Sequence, residues 1–178
     1  LETLNCSDNP EMKGLPLGSL ADLKTLDCSN TGLSGTVDVS GYPKLETLNC
    51  SDNPEMKGLP LGTPAGLKTL DCSNIGLSGT LDVSSLSKLE KLACANNRLM
   101  GTLDVSNLTN LQRLNCADNQ LTALNMSGTA LTELYCQNNQ LTGMLDMSHF
   151  YGLRGLRCHN NPDLTELTLG QHNDLLSL

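Results

Sequence analysis

The sequence predicts a solenoid, a coil of short units whose strands lie side by side in one parallel sheet, with little helix. Three observations carry this reading. Cysteine recurs at Cys6, Cys28, Cys50, Cys72, Cys94, Cys116, Cys136 and Cys158, at spacings of 22 residues with a single one of 20. Every cysteine sits in the same frame, from Leu1-x-x-Leu4-x-Cys6 to Leu153-x-x-Leu156-x-Cys158. Leucine supplies 38 of the 178 residues, whereas the aromatics are Tyr42, Tyr135, Phe150 and Tyr151 and tryptophan is absent. The core is therefore built from leucine rather than from aromatic rings.

Positions within a unit are counted from its opening leucine. Leucine at position 4 and cysteine at position 6 alternate with polar neighbours, the period of a half-buried strand. One such unit cannot bury its apolar face alone, but a stack of units can. Position 9 is asparagine in Asn9, Asn53, Asn97, Asn119, Asn139 and Asn161, where a side-chain amide satisfies backbone groups left unpaired by a bend. Thr31 and Ile75 interrupt that row, so those two turns need another solution. Gly35, Gly79, Gly101 and Gly143 mark a turn to the second arm. Alternation there in Val37/Val39, Leu81/Val83 and Leu145/Met147 predicts extended chain, and a unit of 22 residues leaves little room for a helix. A closing leucine such as Leu108 precedes the next opening one, Leu111. The units start at residues 1, 23, 45, 67, 89, 111, 131 and 153, and the start of a ninth is expected at 175. With strands about 4.8 Å apart the stack is roughly 35 Å long. Residues 1–40 and 45–84 differ at only five positions, so the first four units present nearly the same surface twice.

The motif Leu-x-x-Leu-x-Cys-x-x-Asn-x-Leu resembles a leucine-rich repeat with cysteine where a third leucine is usual, and it covers the chain as eight units. With the Leu-Asp-Val-Ser segment at Leu103–Ser106, the pattern resembles bacterial surface repeats of the internalin-like, cysteine-ladder kind. The resemblance implies an α/β solenoid of the leucine-rich-repeat type in a single domain over 1–178. Such a solenoid is right-handed and helix-poor, with its parallel sheet on the concave side and extended segments on the convex side. It also implies an extracellular or bacterial cell-surface protein with an adhesion-like role.

Charge and motifs narrow the function. A net charge of −8, from 11 basic and 19 acidic residues, argues against a nucleic-acid partner and against docking on anionic lipid. No apolar run reaches the roughly 18 residues that span a membrane, so direct membrane insertion is not expected. No basic segment followed by an apolar stretch marks a signal peptide in this segment. One cysteine per unit makes an even count fortuitous, and neighbouring Cβ vectors run parallel, far from the roughly 90° torsion a disulfide needs. Zinc ligands come in close pairs, and none occurs. The cysteines read as a row of small buried thiols. Asp38, Asp82, Asp104 and Asp146 form a row of acids, which read as turn caps or a solvated face rather than as calcium ligands. His149, His159 and His172 are scattered over separate units, and no nucleophile–base pairing can be assembled. No catalytic residue, metal site or cofactor is expected.

Function then falls to the outward sheet positions 3, 5 and 7. The first four units carry Thr3/Asn5/Ser7, Thr25/Asp27/Ser29, Thr47/Asn49/Ser51 and Thr69/Asp71/Ser73, a flat and small polar surface. At the margin Glu2, Lys24, Glu46, Lys68 and Glu90 alternate in sign. From the fifth unit the face becomes larger and mixed, and Arg113, Glu133, Tyr135, Gln137, Arg157 and His159 are the candidate partner-binding residues. The expected function is non-enzymatic recognition of a protein or glycan on the concave face. The alternative is a spacer holding another domain away from the cell surface. The opening at Leu1 and the closing Leu175-Leu176-Ser177-Leu178 read as uncapped ends, so end-to-end self-association is also expected.

Overall fold

The computed structural model describes residues 1–15, 20–61 and 66–171. The strands in the first half of the chain are β1 (Thr3–Asn5), β2 (Thr25–Asp27), β3 (Gly35–Thr36), β4 (Thr47–Asn49), β5 (Met56–Gly58), β6 (Thr69–Asp71) and β7 (Ser78–Gly79). They are followed by β8 (Lys91–Ala93), β9 (Arg98–Asp104), β10 (Arg113–Asn115), β11 (Gln120–Asn125), β12 (Glu133–Tyr135), β13 (Gly143–Met147), β14 (Gly155–Arg157) and β15 (Leu164–Leu169). No helix occurs among the described residues. The helix-poor solenoid expected from the repeat is thus helix-free there, and the helical half of the α/β description has no counterpart. The expected ninth unit at 175, and His172, lie outside the described residues.

One strand from each unit enters an eight-stranded parallel sheet in the order β1-β2-β4-β6-β8-β10-β12-β14. Its register keeps the position-4 leucines side by side, from Leu4 beside Leu26 to Leu134 beside Leu156. The second arm is also extended and parallel, pairing β3 with β5, β9 with both β7 and β11, and β13 with β15. Val37, Val39, Val83, Leu145 and Met147 are buried there and Leu81 is half-buried, as their alternation predicts. The sixth unit is two residues short. The main sheet stays in register across it, and the second arm there has a register shift between Leu121 and Ala123 like those at Gly35/Thr36 and Gly143/Met144 in units of full length.

Position 8 makes the bend after each sheet strand. Asp8, Asn30, Asp52, Asn74, Asn96, Asp118, Asn138 and Asn160 all adopt positive φ, between 48° and 59°. Aspartate and asparagine tolerate this left-handed conformation better than other residues with a Cβ. Their side chains also link units, as where Asn30 Nδ2 donates to Asp8 Oδ1 at 2.8 Å and Asn74 Nδ2 to Asp52 Oδ1 at 3.0 Å.

Five of the six position-9 asparagines serve two turns, and Asn9, in the first unit, serves its own. Asn97 Nδ2 donates to the Cys94 carbonyl of its own unit (3.0 Å) and to the Cys72 carbonyl of the preceding one (2.9 Å). Its Oδ1 accepts from the backbone N–H of Ile75 and Leu77, again one unit back. Asn53 likewise reaches Cys50 and Cys28. This reach resolves the two interrupted turns. Where Ile75 stands, the asparagine of the next unit supplies the missing donor and acceptor. At Thr31 the backbone N–H donates to Asn53 Oδ1, and the hydroxyl oxygen lies 2.9 Å from the Cys28 carbonyl.

All eight cysteines are free thiols; the six internal ones are buried and Cys6 and Cys158 are half-buried. The sulfur of Cys28 lies 3.4 Å from the Asn49 carbonyl of the next strand, which also accepts the Cys28 backbone N–H at 2.9 Å. Burial pushes the Cys28 and Cys136 thiols up to about 12 and those of Cys50, Cys72, Cys94 and Cys116 well above their ordinary value. A group whose pKa is raised on folding lends stability that is full below its unfolded pKa and is lost as pH rises. Stability is therefore expected to fall once pH passes about 8.5, where unfolded thiols ionise. Urea midpoints at rising pH test this, alongside thiol titration of native and unfolded chain. The native chain should react little and the unfolded, unreduced chain should release all eight thiols. Midpoints that stay level to pH 10.5, or thiols missing from the unfolded count, contradict it.

Candidate functional site

Positions 3 and 5 of each sheet strand point away from the position-4 leucines, because side chains alternate across a strand, whereas position 7 lies just beyond the strand, where Ser51, Ala95 and Ala117 are buried. In the first four units this face is largely satisfied within itself. Asn5 Oδ1 accepts from the backbone and hydroxyl of Ser7, both at 2.9 Å. Asp27 with Ser29, and Asn49 with Ser51, repeat the arrangement, and Asp71 accepts from the Ser73 backbone at 3.0 Å. At the margin, Lys24 pairs with Glu2 at 3.0 Å and Lys68 with Glu46 at 2.8 Å. Such exposed pairs contribute at most about 1 kcal/mol each.

The later units differ. Arg113 Nε lies 3.0 Å from Glu133 Oε1, and the Tyr135 hydroxyl donates to Glu133 Oε2 at 3.2 Å. The Arg157 guanidinium lies 5.0 Å from the centroid of the Tyr135 ring, within cation–π range. Gly155 lies beside the ring, where an added Cβ would be in ordinary contact 3.4 Å from the tyrosine hydroxyl. Strands β10, β12 and β14 thus bring Arg113, Glu133, Tyr135 and Arg157 into one network. Gln137 and His159 make no side-chain hydrogen bond or ion pair with that network, and the Oε1 of Gln137 is buried without a hydrogen-bond partner.

A depression of about 250 Å³ opens beside this network. Tyr135, Glu133 and Arg113 border it on one side, with Lys91, Ala93 and Asp71 on the other. Its origin is subtraction. Position 5 carries Asn5, Asp27, Asn49 and Asp71 in the first four units, then falls to Ala93 before rising again to Asn115 and Tyr135. Lys91 and Ala93 are absent from the candidate set read from the sequence. The signal for them was present, but a small residue draws attention only once its taller neighbours are placed.

The four acids on the second arm act as turn caps. Asp38, Asp82, Asp104 and Asp146 each accept the backbone N–H of the serine two residues on, at 2.8 to 3.0 Å. Among the described residues no group of three or more His, Cys, Asp or Glu side chains could hold a metal ion. No helix there is long and apolar enough to cross a membrane. A second depression, of about 600 Å³, lies by the shortened sixth unit between Leu124, Met126, Thr129, Met144 and Phe150. Thr129 there takes the place of the buried Leu108 of the unit before, as matching backbone bonds to Met126 and Val105 show.

Burial holds the Tyr135 phenol above its ordinary range, and the charge and hydrogen bond of Glu133 add to this while Arg157 and Arg113 oppose it. Glu133→Gln should therefore move the tyrosine ionisation down and Arg157→Ala should move it up, as read by ultraviolet difference titration. Titrations unchanged by both substitutions would mean that the network does not form in solution.

The sequence matches no protein-family model and no curated protein. Among solved structures, the functional domain of InlJ from Listeria monocytogenes, which includes a cysteine ladder, aligns over the whole chain with TM-score 0.76 and 26% identity. The internalin InlF from the same species aligns over 99% of the chain (TM-score 0.70, 19% identity). The plant peptide hormone receptor RGFR1, solved in complex with RGF2, aligns over 82% (TM-score 0.68, 19% identity). The chain spans 46%, 60% and 25% of these three proteins. With its eight parallel turns and its row of thiols, the chain is a leucine-rich-repeat solenoid with a cysteine ladder, similar in structure to internalin-type and other leucine-rich-repeat proteins.

Proposed function

We propose that the chain is a non-enzymatic recognition module that binds a protein partner on the concave face of its sheet, in units five to eight. A glycan is the other partner class the face suits. We place it in a bacterial surface or secreted protein with an adhesion-like role, on the strength of its resemblance to internalin-type repeats. The observation that carries the reading is the change in the sheet face along the stack. Polar groups of the first four units largely bond within their own turns and offer little to a partner. Units six to eight instead present Arg113, Tyr135 and Arg157 in one connected patch. Arginine and tyrosine concentrate binding energy because each offers large rigid area with a polar handle. The structure of RGFR1 with RGF2 supports the use of this fold for recognising a peptide.

The first four units, in which one pair nearly copies the other, favour a second reading for that half, a spacer that sets the binding half at a distance. Screening the chain against host-surface proteins and glycan arrays separates the two. For a partner so found, Tyr135→Ala should cost about 2 kcal/mol of affinity, and Thr25→Ala should cost almost nothing. Equal losses from both, or a footprint confined to the first four units, contradict the assignment. No partner at micromolar concentration favours the spacer.

A further inference from the structure

Three pairs of charges that face each other along this sheet and its margin are of opposite sign. Glu2 faces Lys24, Glu46 faces Lys68, and Arg113 faces Glu133. Lys91 breaks the rule. It lies in register with Arg113 on one side and with Thr69 on the other. Two cations directly opposite on neighbouring strands repel and destabilise the pair. Lys91 makes no ion pair among the described residues. The one carboxylate beside Arg113 is already divided, one oxygen to Arg113 and the other to the Tyr135 hydroxyl. The other acid of the depression, Asp71, has its Oδ1 on the Ser73 backbone N–H.

Where a local rule is broken without compensation inside the fold, the compensation is sought in a partner. Resting on the concave-face reading above, we propose that the depression between Lys91 and Arg113 receives a carboxylate side chain, aspartate or glutamate, from an extended segment of a protein partner. The volume of about 250 Å³ is smaller than the usual range for drug-sized ligands, roughly 300–1,000 Å³, and suits a single side chain. Ala93 supplies the low floor, and Tyr135 stands as a wall that takes an apolar neighbour of the acid. The carboxylate places a negative charge between two cations that otherwise face each other. Because the chain as a whole carries −8, the attraction is local and specifies register on the face rather than steering the partner from a distance.

The test uses the isotope-labelled chain and a capped eight-residue peptide of alternating glutamate and phenylalanine, with a counterpart carrying glutamine for glutamate. The glutamate peptide should shift the backbone resonances of β8, β10 and β12. The glutamine peptide, and the glutamate peptide with Lys91→Gln, should bind about tenfold more weakly, as expected when a charge-assisted hydrogen bond is lost. Lys91→Gln should also melt no lower than the parent chain, because it removes a like-charge contact, so weaker binding would not reflect unfolding. Equal binding of both peptides at these strands overturns the carboxylate site and leaves the concave-face reading standing. Shifts confined to other strands, unaffected by Tyr135→Ala, overturn both. Absence of any shift with the glutamate peptide overturns the carboxylate site.

Discussion

A side-chain amide that reaches two turns at once holds this solenoid together. In a parallel stack the sheet hydrogen bonds join strands, but the bend after each strand exposes a cysteine carbonyl and nearby N–H groups with no strand to pair with. Asn53, Asn97, Asn119, Asn139 and Asn161 each donate to the cysteine carbonyl of their own unit and of the one before. With Asn9 on Cys6, all eight cysteine carbonyls receive an amide although only six units carry the asparagine. The spacing tolerates a missing asparagine in alternate units, and Thr31 and Ile75 fall in alternate units. Small buried thiols complete the arrangement, with the sulfur of Cys28 lying 3.4 Å from the Asn49 carbonyl of the next strand.

That scaffold frees the outward face from structural duty. Inward positions repeat because every turn needs the same leucines, thiol and amide, whereas positions 3 and 5 vary without cost to the core. Variation concentrates in the later units. There the face trades small side chains bonded within their own turns for long ones bonded across strands, with Tyr135 linked to Glu133 on its own strand and to Arg157 on the next. Cross-strand bonds hold these side chains in place before a partner arrives, which lowers the entropy lost on binding. Lys91 lies in register with Arg113 of this network and makes no ion pair among the described residues.

Most of the fold was legible because its signal is periodic. Leu4, Cys6 and their repeats specify the sheet, its parallel sense and its core, and Val37/Val39 specify an extended second arm. Three features were harder to read. The left-handed bend at position 8 is announced by Asp8, Asn30, Asp52 and their successors, yet aspartate and asparagine are equally ordinary on a solvated surface. The rescue of the turns at Thr31 and Ile75 depends on the reach of Asn53 and Asn97 into the preceding unit, a distance that no single repeat contains. Within the candidate site, Arg113, Glu133, Tyr135 and Arg157 were readable from residue type and register. The depression was not, since Ala93 contributes an absence, and Gln137 and His159 make no hydrogen bond or ion pair with the network.

The central claim, that shared asparagine amides hold the turns, is tested most directly by comparing single alanine variants along the ladder. Among the described residues Asn97 is the only amide serving the Cys72 carbonyl and accepts from two N–H groups, and Asn53 is the only amide serving Cys50 and Cys28, of which Cys28 keeps the Thr31 hydroxyl. Asn119 shares both of its carbonyls, Cys94 with Asn97 and Cys116 with Asn139. Equilibrium unfolding in urea should therefore rank Asn97→Ala as most damaging, then Asn53→Ala, then Asn119→Ala. The difference between the first and the last should be about 1–3 kcal/mol, the cost of leaving a buried polar group unpaired. Equal losses at the three sites, or a greater loss at Asn119, would contradict the account.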